Sequence, residues 1–380
     1  MGFFGSLTKM ATKAATTAVE EALAPPPASD ARAEPAATGD EPTFAQQSEK
    51  AIPGNIRMFS GCQDSQTSAD VFDTSSFQLP AECGPGGAGG ACTNAMLSTV
   101  LKDEAVAPTW LELIEGMRGI LAEKSFTQVP QLSSSRPLEL KEKFSVTGAG
   151  GGKKRALLIG INYVGQQGEL KGCHNDVVMM KQYIETQGYT SDSDSMKVLM
   201  DDGNHDMPTM ANILNAFQWF TDGVEAGDSL FFHYSGHGGS VRDENGDEKD
   251  GKDETLIPVD YQERGQLTDD VILSQLVLEV PRDATLTVVI DACHSGTVLD
   301  LPYTLIANSS NMDSFNSGGA SVLPQNGDFS FSQLLKVGQL LFSMHQKGAS
   351  KQQIAMAAFT ELSKSGALKG VAGNLGSLFG

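Results

Sequence analysis

The sequence predicts an α/β fold, a mostly parallel sheet with helices on both faces, and three observations predict it. From residue 155 onward, apolar runs alternate with helical patterns: RALLIGIN (155–162), a helix over 175–186, MKVLM (196–200), a helix over 208–220, SLFFHYS (229–235), a helix over 269–280 and TLTVVID (285–291). The runs are apolar at nearly every position rather than at alternate ones, which marks strands buried on both faces, and strands joined by helices pair in parallel. Finally, 380 residues with 40% hydrophobic content can bury a sizeable core, as one large domain or two small ones.

Residues 1–50 add little to that core. The stretch 24–42 is rich in Ala, Pro and acids and reads as a disordered linker. MGFFGS carries the loose pattern for acylation at Gly2, but the bulky Phe3 favours an ordinary start. A first structured region, 51–147, holds a strand IRMFS (56–60), helical spacing over 93–101 and 110–121, and a strand-like stretch at 127–132. Within it, CGPGGAGGAC (83–92) has too many glycines for regular structure and reads as a mobile loop. TGAGGGKK (147–154) reads as a flexible linker into a second region, 148–307, and 308–380 is a partly helical tail.

The formal charge of −20 argues against nucleic acid or an anionic membrane as partner and favours metal ions or basic protein segments. Five cysteines, Cys62, Cys83, Cys92, Cys173 and Cys293, show no C-x-x-C pairing, so neither a disulfide framework nor a zinc site is indicated. No run of eighteen apolar residues and no secretory signal is present, so a cytoplasmic protein without a transmembrane segment is expected.

In open parallel sheets, ligands bind outside the carboxyl ends of the strands. Two predicted strands end in HYSGHGG (233–239) and IDACHSG (290–296), which brings His237 and Cys293 to one edge. A thiol becomes an effective nucleophile when an imidazole and local dipoles favour the thiolate, and amide cleavage needs a proton donor for the leaving amine. Either residue alone would more often be packing; the two together at strand ends, flanked by glycines that free backbone N–H groups for an oxyanion, point to catalysis.

HYSGHGG and DACHSG resemble the His and Cys motifs of metacaspases, caspase-like cysteine proteases. LLIGINY, LKGCHNDV and LPYTLIA resemble the rest of their catalytic region, over 153–307. FSGCQDSQTSAD and PQLSSSRPLEL resemble the metacaspase small-subunit region, which here comes first, as in the circularly permuted type III members. The resemblance implies a caspase-like fold and a dyad of Cys293 as nucleophile and His237 as general acid and base, with the N–H groups of Gly238 and Cys293 as oxyanion donors. It further implies a specificity pocket at Cys173, Asp176, Ser235 and Asp291 for Arg or Lys before the scissile bond, and a calcium site at Asp253, Asp269, Asp270 and Asp300.

The residues alone say less. Asp176 could equally be a helix N-terminal charge and Asp291 a strand-end cap. The polar stretch 61–70 follows a strand and could wall the cleft. RDENGDEKDGKDE (242–254) holds seven carboxylates in the twelve residues from Asp243, but Glu248 stands where an EF-hand needs glycine, so most of it reads as an exposed acidic loop. The expectation is a monomeric, calcium-activated endopeptidase acting on protein or peptide substrates after Arg or Lys. The alternative is an inactive caspase-fold scaffold that holds basic segments.

Overall fold

The structure, a computed structural model, describes residues 43–61, 70–71, 88–103, 106–242, 252–293, 298–299, 301–305 and 322–326. The N-terminal segment through residue 42, the polar stretch at 62–69, the acidic loop at 243–251, Asp300 and nearly all of the tail after 305 lie outside the described residues.

Helix α1 (Phe44–Ala51) starts with a capping box, in which Thr43 and Gln46 satisfy each other's backbone N–H. Strand β1 (Asn55–Ser60), the short strands β2 (Asp70–Val71) and β3 (Gly89–Gly90), helices α2 (Ala91–Val100) and α3 (Trp110–Glu123) and strand β4 (Gln131–Ser134) complete the first region. Helix α3 is capped in the same way by Thr109 and Glu112. The second region runs β5 (Lys154–Gly160), α4 (Cys173–Thr186), β6 (Met196–Met200), α5 (Met210–Thr221), β7 (Ser229–Ser235), β8 (Gly238–Arg242), β9 (Lys252–Leu256), α6 (Tyr261–Arg264), β10 (Leu267–Thr268), α7 (Asp269–Ile272), β11 (Thr285–Asp291) and β12 (Tyr303–Leu305).

Seven strands form the central sheet in the order β12-β4-β1-β11-β7-β5-β6. The five from β1 to β6 are mutually parallel, while β4 is antiparallel to β1 and β12 to β4. The two regions therefore share one sheet, because β1 extends it beyond β11 with Ile56 opposite Leu286 and Ser60 opposite Ile290. The three strands β10-β9-β8 form a separate small sheet.

The run TLTVVID is apolar at nearly every position because successive side chains enter different cores. Leu286, Val288 and Ile290 join Phe217, Phe220 and Leu276 on one face, and Val289 joins Phe59, Met96, Trp110 and Met180 on the other. Each fully buried side chain of this size contributes roughly 1.5–3 kcal/mol by leaving water, and both faces are filled, so the sheet is held from two sides.

Several sequence expectations shift. The strand expected at 127–132 forms at Gln131–Ser134 instead, where Ser134 Oγ and Ser135 N–H bond to the Ile56 carbonyl, so pairing with β1 outweighs local propensity. The helix expected over 269–280 is a single α turn followed by a π turn over Leu273–Val277. The linker at 148–152 is tied down rather than loose: Gly148 N–H bonds to Ser229 Oγ and Gly152 N–H to the Gly227 carbonyl, and a Cβ on Gly150 would press on the Gly227 backbone. Part of the glycine-rich loop is ordered as β3.

Candidate active site

The register of the sheet places the two reactive residues. Asp291 pairs with Ser235, so the chain leaves β11 and β7 side by side, and two residues further on stand Cys293 and His237. Their backbones nearly touch: a Cβ on Gly238 would overlap the Cys293 carbonyl oxygen, so only glycine fits there. Cys293 is partly exposed, Cys92 and Cys173 are buried, and none of the three is in a disulfide.

His237 is held on every side. Its Nε2–H donates to the Gly168 carbonyl at 2.6 Å, which assigns the proton to Nε2 in the neutral ring and leaves Nδ1 as the basic nitrogen. Gly168 has φ of 83°, and a Cβ there would lie 3.2 Å from His237 Nε2. Below the imidazole, Tyr163 packs with ring centroids 4.7 Å apart, its hydroxyl accepting from His237 N–H at 3.0 Å, while Tyr234 Oη donates to the His237 carbonyl at 2.8 Å. Burial raises the pKa of both tyrosines well above their ordinary value, so both stay protonated donors. The other histidine of the motif, His233, is buried in mid-strand with Nδ1 3.2 Å from the Val289 carbonyl and belongs to the core.

The four residues of the expected specificity pocket gather at the same edge. Ser235 Oγ donates to Asp176 Oδ2 at 2.6 Å, and Asp291 ends the neighbouring strand. Cys173, at the start of α4, is fixed by Asn162 Oδ1, which accepts its N–H at 3.0 Å. Asp176 does lie in the first turn of its helix, but its partners are distant in sequence: Gly90 N–H reaches both carboxylate oxygens at 2.8 and 2.9 Å. Thr93 N–H donates to Asp291 Oδ2 at 2.7 Å. The N-terminus of α2, with its unsatisfied N–H groups, thus sits on the two carboxylates. A Cβ on Gly90 would overlap Asp291 and come within 2.8 Å of Asp176 Oδ2. Beside the carboxylates, the buried oxygens Thr93 Oγ1 and Asn94 Oδ1 meet no hydrogen-bond partner among the described residues.

Next to this pocket, His174 Nε2 lies 2.6 Å from Asp201 Oδ1, and Asp201 also accepts from Asn162 and Val164 N–H. Burial alone would raise the Asp201 carboxyl, but these bonds outweigh it and hold the group below its ordinary value. Sequence reasoning missed Gly90, Thr93, Gly168 and Asp201. Only glycines mark two of these positions, and nothing local marks the others.

Of the expected calcium ligands, Asp253 and Asp269 are buried rather than exposed, as is Glu254. Asp269 accepts from Glu254 N–H at 2.9 Å and from Asp270 N–H at 2.7 Å. The antiparallel pairing of β10 with β9 ends with Thr268 opposite Thr255, and Asp269 and Asp270 open the helix that follows. Hard carboxylate oxygens of this kind suit calcium. Among the described residues no three acidic, thiol or imidazole groups converge as a metal cage, and Asp300 lies outside those residues.

No described helix is long and apolar enough to cross a membrane. The family model for the metacaspase peptidase C14 domain matches residues 154–302. Metacaspase III c of Phaeodactylum tricornutum is 44% identical over 299 residues, 77% of this chain and 85% of that protein. Metacaspase-1 of Mycosarcoma maydis is 43% identical over 50% of this chain and 48% of its own length, and Metacaspase-1 of Coccidioides immitis is 49% identical over 40% and 33%. With Cys293 and His237 just past adjacent strand ends of a mostly parallel, helix-covered sheet, the chain belongs to the metacaspases and is a cysteine peptidase of caspase-like α/β fold.

Proposed function

We propose that the protein is a calcium-activated endopeptidase that cuts after Arg or Lys through a dyad of Cys293 and His237. The observation that carries this is the adjacency of Cys293 and His237, with the imidazole anchored through Nε2 to Gly168. His237 Nδ1 takes the thiol proton, and the Cys293 thiolate attacks the scissile carbonyl carbon. The N–H groups of Gly238 and Cys293 stabilise the oxyanion. His237 then gives the proton to the leaving amine, forming a thioester, and takes one from the water that hydrolyses it; that proton returns to the thiolate.

Specificity for a cationic side chain rests on Cys173, Asp176, Ser235 and Asp291. The N–H groups bonded to Asp176 and Asp291 are dipoles, which orient the carboxylates without neutralising them, so the pair keeps its attraction for a guanidinium or ammonium. Thr93 Oγ1 and Asn94 Oδ1 add unpaired acceptors for a donor-rich side chain. Calcium, bound by Asp253, Asp269, Asp270 and Asp300, would supply the positive charge that lets these carboxylates gather. Asp253 lies opposite Val241 on the small sheet that begins at Gly238, so its position is coupled to the oxyanion donor.

The first region, 51–147, acts as the small-subunit part of a permuted chain: it supplies β1 and β4 to the sheet and Gly90 and Thr93 to the pocket. A cytoplasmic setting fits Cys92, Cys173 and Cys293, none of which is in a disulfide, and the enzyme is read as a monomer. Calcium and magnesium should be titrated against hydrolysis of an Arg-terminated amide reporter in wild type and in Asp269→Ala/Asp270→Ala. Calcium alone is expected to activate wild type, and the double variant to lose the response. Full activity in excess chelator would defeat the calcium part, and turnover unchanged in Cys293→Ala would defeat the dyad.

A further inference from the structure

The catalytic edge is acidic, but the opposite edge of the sheet is not. Where β1 and β11 begin, at Asn55 and Thr285, a cleft of about 300 Å³ is lined by Arg57, Arg136 and Arg282, with Glu49, Asp283 and Gly150 of the linker. Three of the eight arginines of a chain with net charge −20 meet in this one place. The count of charges in the cleft is three positive against two negative, so it carries a surplus cation.

The arginines are not held by carboxylates in the usual way. Arg282 pairs with Glu49, but among the described residues neither Arg57 nor Arg136 makes an ion pair. Arg136 is fixed by backbone carbonyls, donating to Ile52 at 2.8 Å and Pro53 at 2.9 Å. Arg57 lies over the Trp110 ring, 5.2 Å from its centroid, with Nη1 3.5 Å from the Ser145 carbonyl, and its Nε is buried without an acceptor among the described residues. Burial lowers the Arg57 pKa, yet a guanidinium remains charged at neutral pH. A buried donor of a charged group left without an acceptor is expensive, and a bound ion beside it is one arrangement that offsets the cost.

We propose that this cleft binds a small, multiply charged oxyanion of phosphate chemistry, free in solution, held by the guanidinium groups of Arg57 and Arg282 within the field of Arg136. Arginine forks match the oxygen spacing of such anions, and the cleft holds more than a single ion. The ligand would touch α1, the linker at Gly150 and the turn before β11 at once. It therefore binds only the assembled chain and strengthens the union of its two regions.

The probe is inorganic pyrophosphate, with citrate and chloride at equal ionic strength as comparisons, on the full chain in calcium-free buffer, read by calorimetry and by the thermal midpoint. Pyrophosphate at millimolar concentration is expected to bind at one site and raise the midpoint by a few degrees, more than citrate does. Arg282→Gln, at an exposed position that can change without disturbing the core, is expected to weaken binding about tenfold or more, and Arg57→Gln to do the same. Lys153→Gln, outside the cleft, should leave binding unchanged. No binding heat with wild type, equal binding of pyrophosphate in Arg282→Gln, or binding of citrate without pyrophosphate would each overturn the proposal.

Discussion

Two sets of aspartates flank the reactive cysteine, and they are held in different ways. Asp176 and Asp291 accept N–H groups from Gly90 and Thr93, 86 and 198 residues away in the chain, so the pocket is complete only when the first region docks on the second. Asp269 accepts instead from Glu254 and from its neighbour Asp270, within the second region alone. The first set is held across the two regions; the second is held within one. Carboxylates alike in the sequence therefore depend on distant backbone donors in one place and on near ones in the other.

The comparison can be broken at several points. The largest effect belongs to Cys293→Ala, which should lose amide hydrolysis by a factor on the order of 10⁴ or more while circular dichroism stays that of wild type. Asp176→Ala should cost about 3 kcal/mol in denaturant unfolding, because it strands Gly90 N–H and Ser235 Oγ in a buried site, and it should abolish cleavage after Arg. If stability were unchanged, the pocket would not be fixed by the first region.

Gly90→Ala sharpens the same point with a single methyl group. It is expected to destabilise by about 2–3 kcal/mol, since the added carbon meets two buried carboxylates rather than a flexible side chain. Equal stability of the two proteins would show that α2 can withdraw from the acid pair at little cost.

Acid sensitivity separates the carboxylates from the core. Burial pushes His233 down to about 4 from its ordinary 6.5. The folded state thus binds the proton less readily than the unfolded state does, and stability is complete above pH 6.5 and falls as pH drops toward 4. The loss between pH 7 and pH 5 should be about 2 kcal/mol, and His233→Leu should flatten it. Asp201, held below its ordinary 3.8, loses its contribution only at pH below that value, so the two slopes do not overlap.

The parallel sheet was legible because buried strands write themselves as unbroken apolar runs: 196–200, 229–235 and 285–291 match their strands residue for residue. The edge was harder. QLSS at β4 is polar, and beside its ladder with β1 Ser134 Oγ donates to the Ile56 carbonyl and Ser135 Oγ accepts from Ile56 N–H, bonds that no periodicity reveals. His237 and Cys293 could be read from where their strands end. Gly90 could not, since a run of glycines looks alike whether it is loose or packed against two carboxylates, and the difference lies in contacts made 86 residues away.

The most direct test of the account is the ratio of kcat/KM for matched amide reporters ending in Arg, Lys, Asp and Leu, measured with saturating calcium on the full chain. The acid pair at Asp176 and Asp291 predicts that Arg and Lys are cut and that Asp and Leu are slower by about a hundredfold or more, each tenfold being about 1.4 kcal/mol. Cleavage of the Asp or Leu reporter as fast as the Arg reporter would contradict it.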